Sequence, residues 1–385
     1  MQRFLNLKVA GFRRLLNVDL ELRPLTVLIG ANAVGKSSVL DALSILASSA
    51  RGNLKASVSE MGGIAAMMTY DRAGEVQFGI SVTVRNDDPL EYSLSLQSWG
   101  NAYLISGETL RKRLEGRLEG LPYGFHHIDS RGEDIKYFDD FSGLVRPNWE
   151  HNPLESSLWQ VPKLFRAPEE FRRRLESSTF YHALDVRPRS RVRLPQPMRP
   201  APLPGKDGED LVSCLYSLRE TEPDRFEAVE DSLKAAFPGF KKLDFPPVAA
   251  GTLAITWRDN SFSKPLYMHQ VSDGMLRFLW LATLLQSPGL TALTLIDEPE
   301  VGLHPELLSL LAGLLREAAQ RSQIVVATHS DRLIRFLKPD EVVVMDTAED
   351  GTSTLTWADK LNLEQWLGEY TLDELWSNGR LGGRG

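Results

Sequence analysis

Along residues 1–30, apolar and polar positions first alternate, in FLNLKVAGF and VDLEL, and then merge into the continuous apolar run LTVLIG. Alternation marks a strand with one face in a core, and a short unbroken apolar run marks a strand buried on both faces. Two or three strands are expected here. In residues 36–49 the period changes. Val39, Leu40, Leu43 and Leu46 of KSSVLDALSILASS fall at helical spacing. Period two returns in EVQFGISVTV and LEYSLSLQSW, read as antiparallel strands joined by the turn RNDD.

From about 100 to 200 the pattern is mixed: tryptophans, prolines and short amphipathic pieces alternate, ending in the Pro-rich RPRSRVRLPQPMRPAPLPG. This reads as an inserted, mainly helical subdomain with a boundary at its end. The expected division is 1–95, an N-terminal lobe; 96–200, the insertion; and 201–385, a C-terminal lobe. That last lobe begins with two helices, DGEDLVSCLYSLRE and EPDRFEAVEDSLKAAF, and the strands KKLDF and GTLAITWRD. Then comes VSDGMLRFLWLATLL, whose body is apolar all round but whose start is small and polar. Such a body belongs in a core. Its polar start calls for another explanation. The closing runs LTALTLIDEP, SQIVVATHS and DEVVVMD, separated by helices, suggest a parallel sheet built from βαβ units.

Composition narrows the class. With 42% hydrophobic and 25% charged residues and a net charge of −7, the chain reads as an ordinary globular protein that does not hold nucleic acid by bulk charge. Its single cysteine, Cys214, excludes an intramolecular disulfide and fits a reducing cytoplasm. The start is not a signal peptide, no apolar run approaches a bilayer span, and no membrane contact is expected.

Candidate chemistry begins at Gly30-Ala31-Asn32-Ala33-Val34-Gly35-Lys36-Ser37, which is G-x-x-x-x-G-K-S between an apolar strand and an amphipathic helix. In that setting backbone N–H groups of the loop and helix N-terminus face phosphates. Lys36 reaches the β/γ-phosphates, and the Ser37 hydroxyl is a Mg²⁺ ligand, with Ser38 next on the helix. The run LTLIDEPE ends in Asp297, suited to hold Mg²⁺, and Glu298, suited to orient and polarise the attacking water. The run VVATHS ends in His329, read as a donor to the γ-phosphate because adjacent parallel strands bring their C-terminal ends together.

Together the P-loop, the Ser-x-Gly helix start, IDEP and THS resemble ATP-binding-cassette ATPase heads. VSDGMLRFL, IDEPEVGLHP, ATHS and YTLDELWSNGRLGG are most similar to the RecF, SMC and OLD-like branch, the predicted AAA/ABC-like ATPases. The resemblance spans 1 to about 95 and 200 to 385. It implies an α/β P-loop NTPase head with a mixed or parallel central sheet and an antiparallel β lobe, binding ATP and Mg²⁺. It also implies a head-to-tail homodimer or higher oligomer, in which Ser272 and the backbone of Gly274 contact the γ-phosphate held by the other copy. His304 takes the D-loop position. Two departures stand out: the signature glutamine is Met275, and no Q-loop glutamine is placed, Gln77 and Gln97 lacking a strand-end setting. Phe12, Arg13 and Arg14 of GFRRL are candidates for adenine contact.

The segment after His329 is short for the Toprim nuclease module of OLD-type enzymes, so a nuclease or toxin activity would belong to a separate effector protein. Between Lys163 and Arg199 the chain has ten Lys/Arg against four Asp/Glu. Either Arg172, Arg173, Arg174, Arg187, Arg189, Arg191 and Arg193 offer DNA or RNA a phosphate-binding face, or they are solvated or paired with the surplus acids. Two functions follow. One is an ATP-hydrolysing switch that dimerises on ATP and couples closure to nucleic acid or an effector, in phage defence or DNA repair. The other is a slow-turnover regulatory scaffold that restrains or senses a partner protein. An energiser of transport is the third and weakest.

Overall fold

The computed structural model describes residues 2–69, 72–84, 87–100, 102–113, 125–132, 134–139, 143–361 and 370–379. Its centre is a six-stranded sheet in the order Thr179–Tyr181, Leu293–Asp297, Gln323–Ala327, Leu25–Ile29, Val342–Thr347, Ser353–Trp357. All neighbours are parallel except the last pair, a hairpin. Alternation along these apolar strands divides their side chains between two cores. Val27, Ile29, Ile296, Ile324, Val326, Val342 and Val344 enter one core, with helices Leu211–Thr221, Pro223–Ala236, Asp273–Gln286 and Leu308–Ala319. Leu28, Leu295, Val325, Ala327, Val343 and Met345 enter the other, with helix Lys36–Arg51 and the inner face of a second sheet. A sheet covered on both faces explains why its strands read as unbroken apolar runs.

The second sheet is antiparallel and eight-stranded, running Leu15–Glu21, Phe4–Phe12, Glu75–Val84, Asp87–Trp99, Ala102–Lys112, His126–Arg131, Asp134–Asp139, Gly143–Val145. Here the structure corrects the expected mainly helical insertion. Its first half supplies strands, and its only α-helices among the described residues are Ser157–Gln160 and Arg166–Glu176. The expected break at 95/96 falls inside the Asp87–Trp99 strand. The physical reason is a register shift between Ser95 and Leu96, which breaks the period-two signal where Ala102–Lys112 pairs. Buried Glu108 fastens the insertion down, accepting from the Tyr92 hydroxyl and from the backbone N–H groups of Ser157 and Leu158, at 2.9, 2.6 and 2.8 Å. The segment GTLAITWRD also divides, Thr252–Leu253 and Thr256–Asp259 joining different small sheets.

Candidate active site

The Leu25–Ile29 strand is wholly buried and delivers Gly30 to the C-terminal edge of the central sheet. The loop then turns through Ala33 at φ 63° and Gly35 at φ 101°, and helix Lys36–Arg51 starts at once. Gly35 is required at such a φ, which side chains with a Cβ rarely adopt. Asn32 and Ala33 are exposed at the rim while Val34 is buried, and the Ser353 hydroxyl, from the far edge of the sheet, donates to the Val34 carbonyl at 2.6 Å. The Lys36 ammonium donates to the Gly30 and Ala31 carbonyls at 2.7 and 2.8 Å. Burial lowers its pKa from 10.5 to about 8, opposed by the carboxylates of Asp297, Glu298 and Glu300. A cation in this position is costly without anions around it, which suits a phosphate contact.

Three strand ends close the site. Asp297 ends its strand, half-buried. Burial first, and then the neighbouring Glu298 charge, raise its pKa, while a hydrogen bond with Ser37 pulls it down. Ser37 and Asp297 are hard oxygen donors already in contact, a set that fits Mg²⁺ held by few protein ligands together with phosphate oxygens. Glu298 does not continue the strand. Its φ is 50°, a left-handed conformation costing a glutamate on the order of 1–3 kcal/mol. Its N–H is held by the Ala327 carbonyl at 2.8 Å, and its carboxylate lies 3.4 Å from Nε2 of His329. Burial, reinforced by the nearby Lys36 charge, lowers the His329 pKa, while the Glu298 carboxylate opposes the shift. Lys36, Ser37, Ser38 and His329 line one cleft of about 290 Å³ with Ala33, Gly35, Arg13 and Arg14.

Sequence reasoning missed His182. It follows the edge strand Thr179–Tyr181, and Tyr181 pairs with Ile296, which sets His182 opposite Asp297 with Nδ1 4.0 Å from its carboxylate. The available signal was weak: STFYH, like VVATHS, is a short apolar run ending in histidine. Gln77 and Gln97 sit within the antiparallel sheet, paired with Ser95 and Glu75, away from the cleft. The GFRRL motif divides. Phe12 is core, edge-to-face with Phe78 at 5.2 Å, and cannot meet a base. Arg13 pairs with Asp41, and Arg14 is exposed at the cleft.

The signature segment lies elsewhere. Ser272 is the N-cap of helix Asp273–Gln286, its Oγ accepting from the Met275 N–H at 3.4 Å. Ser272 and Asp273 are exposed, and neither they nor Gly274 line the P-loop cleft. Met275 is half-buried against the first core, which accounts for an apolar residue there. Arg277, one turn on, donates to the Val301 carbonyl at 2.9 Å, joining the signature helix to the turn after Asp297. His304 is exposed and caps the Pro305–Leu307 turn.

The arginine-rich stretch resolves differently from a phosphate-binding face. Arg172 is buried between Glu169 and Glu176, and Arg173 pairs with Glu169. Arg174 is half-buried over the Phe4 ring, and Arg187 pairs with Asp185. Arg193 is buried, donating to the Val186, Met268 and Val271 carbonyls and pairing with Asp273. Only Arg189 and Arg191 of the seven are exposed without an internal ion pair among the described residues.

Residues 25–335 match the family described as AAA domain, putative AbiEii toxin, Type IV TA system. The chain belongs to this family. Among curated proteins none matches it. In fold this AAA-type ATPase is similar to an Smc head bound to the C-winged helix domain of ScpA (TM-score 0.56, 16% identity, 92% of this chain and 97% of that one). It is also similar to an Smc head with an extended coiled coil, bound to the C-terminal domain of ScpA, from Pyrococcus furiosus (TM-score 0.55, 13% identity, 92% and 96%). A third similar structure is an Smc head with a coiled coil and joint from Pyrococcus yayanosii (TM-score 0.51, 12% identity, 94% and 99%). At these identities the likeness is one of fold: a P-loop ATPase head, as the motifs implied. No helix among the described residues is long and apolar enough to cross a membrane.

Proposed function

We propose that the protein is an ATP-driven switch whose two copies close head-to-tail on two ATP molecules and reopen on hydrolysis. One observation carries this reading. The phosphate cradle and His329 line one cleft, Asp297 meets Ser37 and the Glu298 carboxylate lies 3.4 Å from His329, whereas the polar start of the signature helix stays exposed outside it. An N-terminus with unpaired N–H groups suits an anion, and the ATP of a second copy supplies one. Each closed site then joins the P-loop of one copy to Ser272 and Gly274 of the other. Lys36 binds the β- and γ-phosphates. Mg²⁺, held by Ser37 and Asp297, would neutralise charge on the phosphate oxygens. Glu298 orients a water and takes its proton, while His329 donates to the γ-phosphate. Arg14, exposed at the cleft, is the remaining candidate for contact with the rest of the nucleotide.

The engaged arginines favour a protein partner over nucleic acid as what closure acts upon, so the regulatory-scaffold reading stands beside the DNA-linked one. Two of the Smc heads similar to this chain are bound to parts of ScpA, which supports a head of this fold offering a face to another protein. A role in phage defence or DNA repair belongs to this proposal. Its test is Glu298→Gln with ATP and Mg²⁺, followed by size-exclusion chromatography with light scattering. A stable dimer that wild type does not accumulate is expected. A monomer at every concentration, with nucleotide bound, would sink the sandwich.

A further inference from the structure

The turn after Asp297 carries a third carboxylate, Glu300, to which neither the phosphate cradle nor the hydrolytic pair assigns a role. Its Oε1 accepts two hydrogen bonds from the neighbouring strand end: one from the fully buried Thr328 hydroxyl at 2.5 Å and one from the His329 N–H at 3.2 Å. Thr328 Oγ1 in turn accepts from the Ser330 N–H at 3.0 Å. The other carboxyl oxygen, Oε2, is buried without a hydrogen-bond partner among the described residues. A carboxyl group this poorly solvated is expensive to keep at a surface turn. It is accounted for when the two bonds it makes are needed.

Those bonds fix two segments relative to each other. On one side is the turn, where Glu298 sits at φ 50° and the Val301 N–H closes onto the Glu298 carbonyl at 3.1 Å. On the other is the strand end that carries the His329 ring. Besides the 2.8 Å bond from the Glu298 N–H to the Ala327 carbonyl and the 3.4 Å contact between the Glu298 carboxylate and the His329 ring, Glu300 ties the turn to the backbone of the strand end. We propose that Glu300 is a positioning residue for ATP hydrolysis: through Thr328 and the His329 N–H it holds the His329 ring beside the Glu298 carboxylate. This inference rests on the reading of Glu298 and His329 as the hydrolytic pair.

The test uses the full-length chain and measures steady-state ATP hydrolysis, equilibrium binding of a fluorescent ATP analogue, and thermal unfolding. Glu300→Ala is expected to lower kcat by about tenfold or more, as a misplaced reacting group does, with nucleotide affinity within about twofold of wild type. Glu300→Gln, which keeps the accepting oxygen, is expected to restore kcat to within about threefold. Thr328→Val, which removes only the hydroxyl, should resemble Glu300→Ala, and combining the two should add little. Thr328→Ser should behave as wild type. The inference is overturned if Glu300→Ala leaves kcat unchanged, if Glu300→Gln is as impaired as Glu300→Ala, or if affinity falls in step with kcat. Glu298→Gln separates the two levels. If it hydrolyses ATP like wild type, the hydrolytic reading itself fails. If it is inactive while Glu300→Ala is not, only the role of Glu300 fails.

Discussion

At the scale of single residues the site is governed by burial of charge. The Lys36 ammonium sits at the strand end with its pKa lowered to about 8 by burial. The unfolded chain therefore holds this proton up to higher pH than the folded one. Across the window from about 8 to its ordinary 10.5, stability contributed by this group rises with pH, and below that window the buried charge costs stability. ATP binding has the opposite sign, because phosphates favour the charged ammonium. Affinity for a fluorescent ATP analogue should be flat below pH 8 and weaken above it, by up to about tenfold per pH unit. A pH-independent affinity from 7 to 9.5 would count against the phosphate role of Lys36. Replacement of Lys36 by Ala should abolish binding in the same assay.

At the scale of elements, the polar start of the signature helix is held by its own chain as well as offered outward. Gly274 packs against the turn that follows Asp297, where an added Cβ would lie 2.9 Å from the Gly302 carbonyl. Gly274→Ala must push these two segments apart and should cost about 1–3 kcal/mol, read as a lower unfolding midpoint in denaturant. Arg193 fixes the same helix start from the other side. Its removal leaves the Val186 and Val271 carbonyls short of a donor, the Met268 carbonyl with only the Val271 N–H, and Asp273 without its partner. Each stranded buried group costs about 1–3 kcal/mol, so Arg193→Ala should lower the unfolding midpoint at least as far. It should also weaken the ATP-dependent dimer beyond what the loss of stability explains.

At the scale of the whole molecule, the arginine charge of the insertion goes into ion pairs within it and carbonyl contacts more than into a binding face. Arg172, with its side chain 10% exposed, lies between two glutamates. Replacing Arg172, Arg173 and Arg174 together by Glu should destabilise the fold by about 3–5 kcal/mol or more, the cost of breaking a buried pair. Loss of DNA-stimulated hydrolysis in that variant would report unfolding. Exposed Arg189 and Arg191 give the cleaner probe: Arg189→Glu with Arg191→Glu should leave the melting temperature unchanged. If duplex DNA stimulates wild-type hydrolysis and this pair does not abolish the effect, nucleic acid binds elsewhere.

The sequence by itself determined the local chemistry: the P-loop with its flanking strand and helix, the acidic and histidine strand ends, and the buried parallel sheet. Each rests on neighbours in the chain, where a period of two or 3.6 and a fixed loop spacing are legible. Only the tertiary structure decided what distant segments do for one another. It placed His182 beside Asp297 through a three-residue edge strand too short to show a period. It turned much of the expected helical insertion into four strands of one sheet, through pairings in which a bulge conceals the alternation. It also decided between the two readings of a row of arginines, placing most of them in ion pairs and carbonyl contacts. Charge counted along a chain cannot tell a solvated cation from a paired one. That distinction depends on which acids and carbonyls the fold brings within about 3 Å.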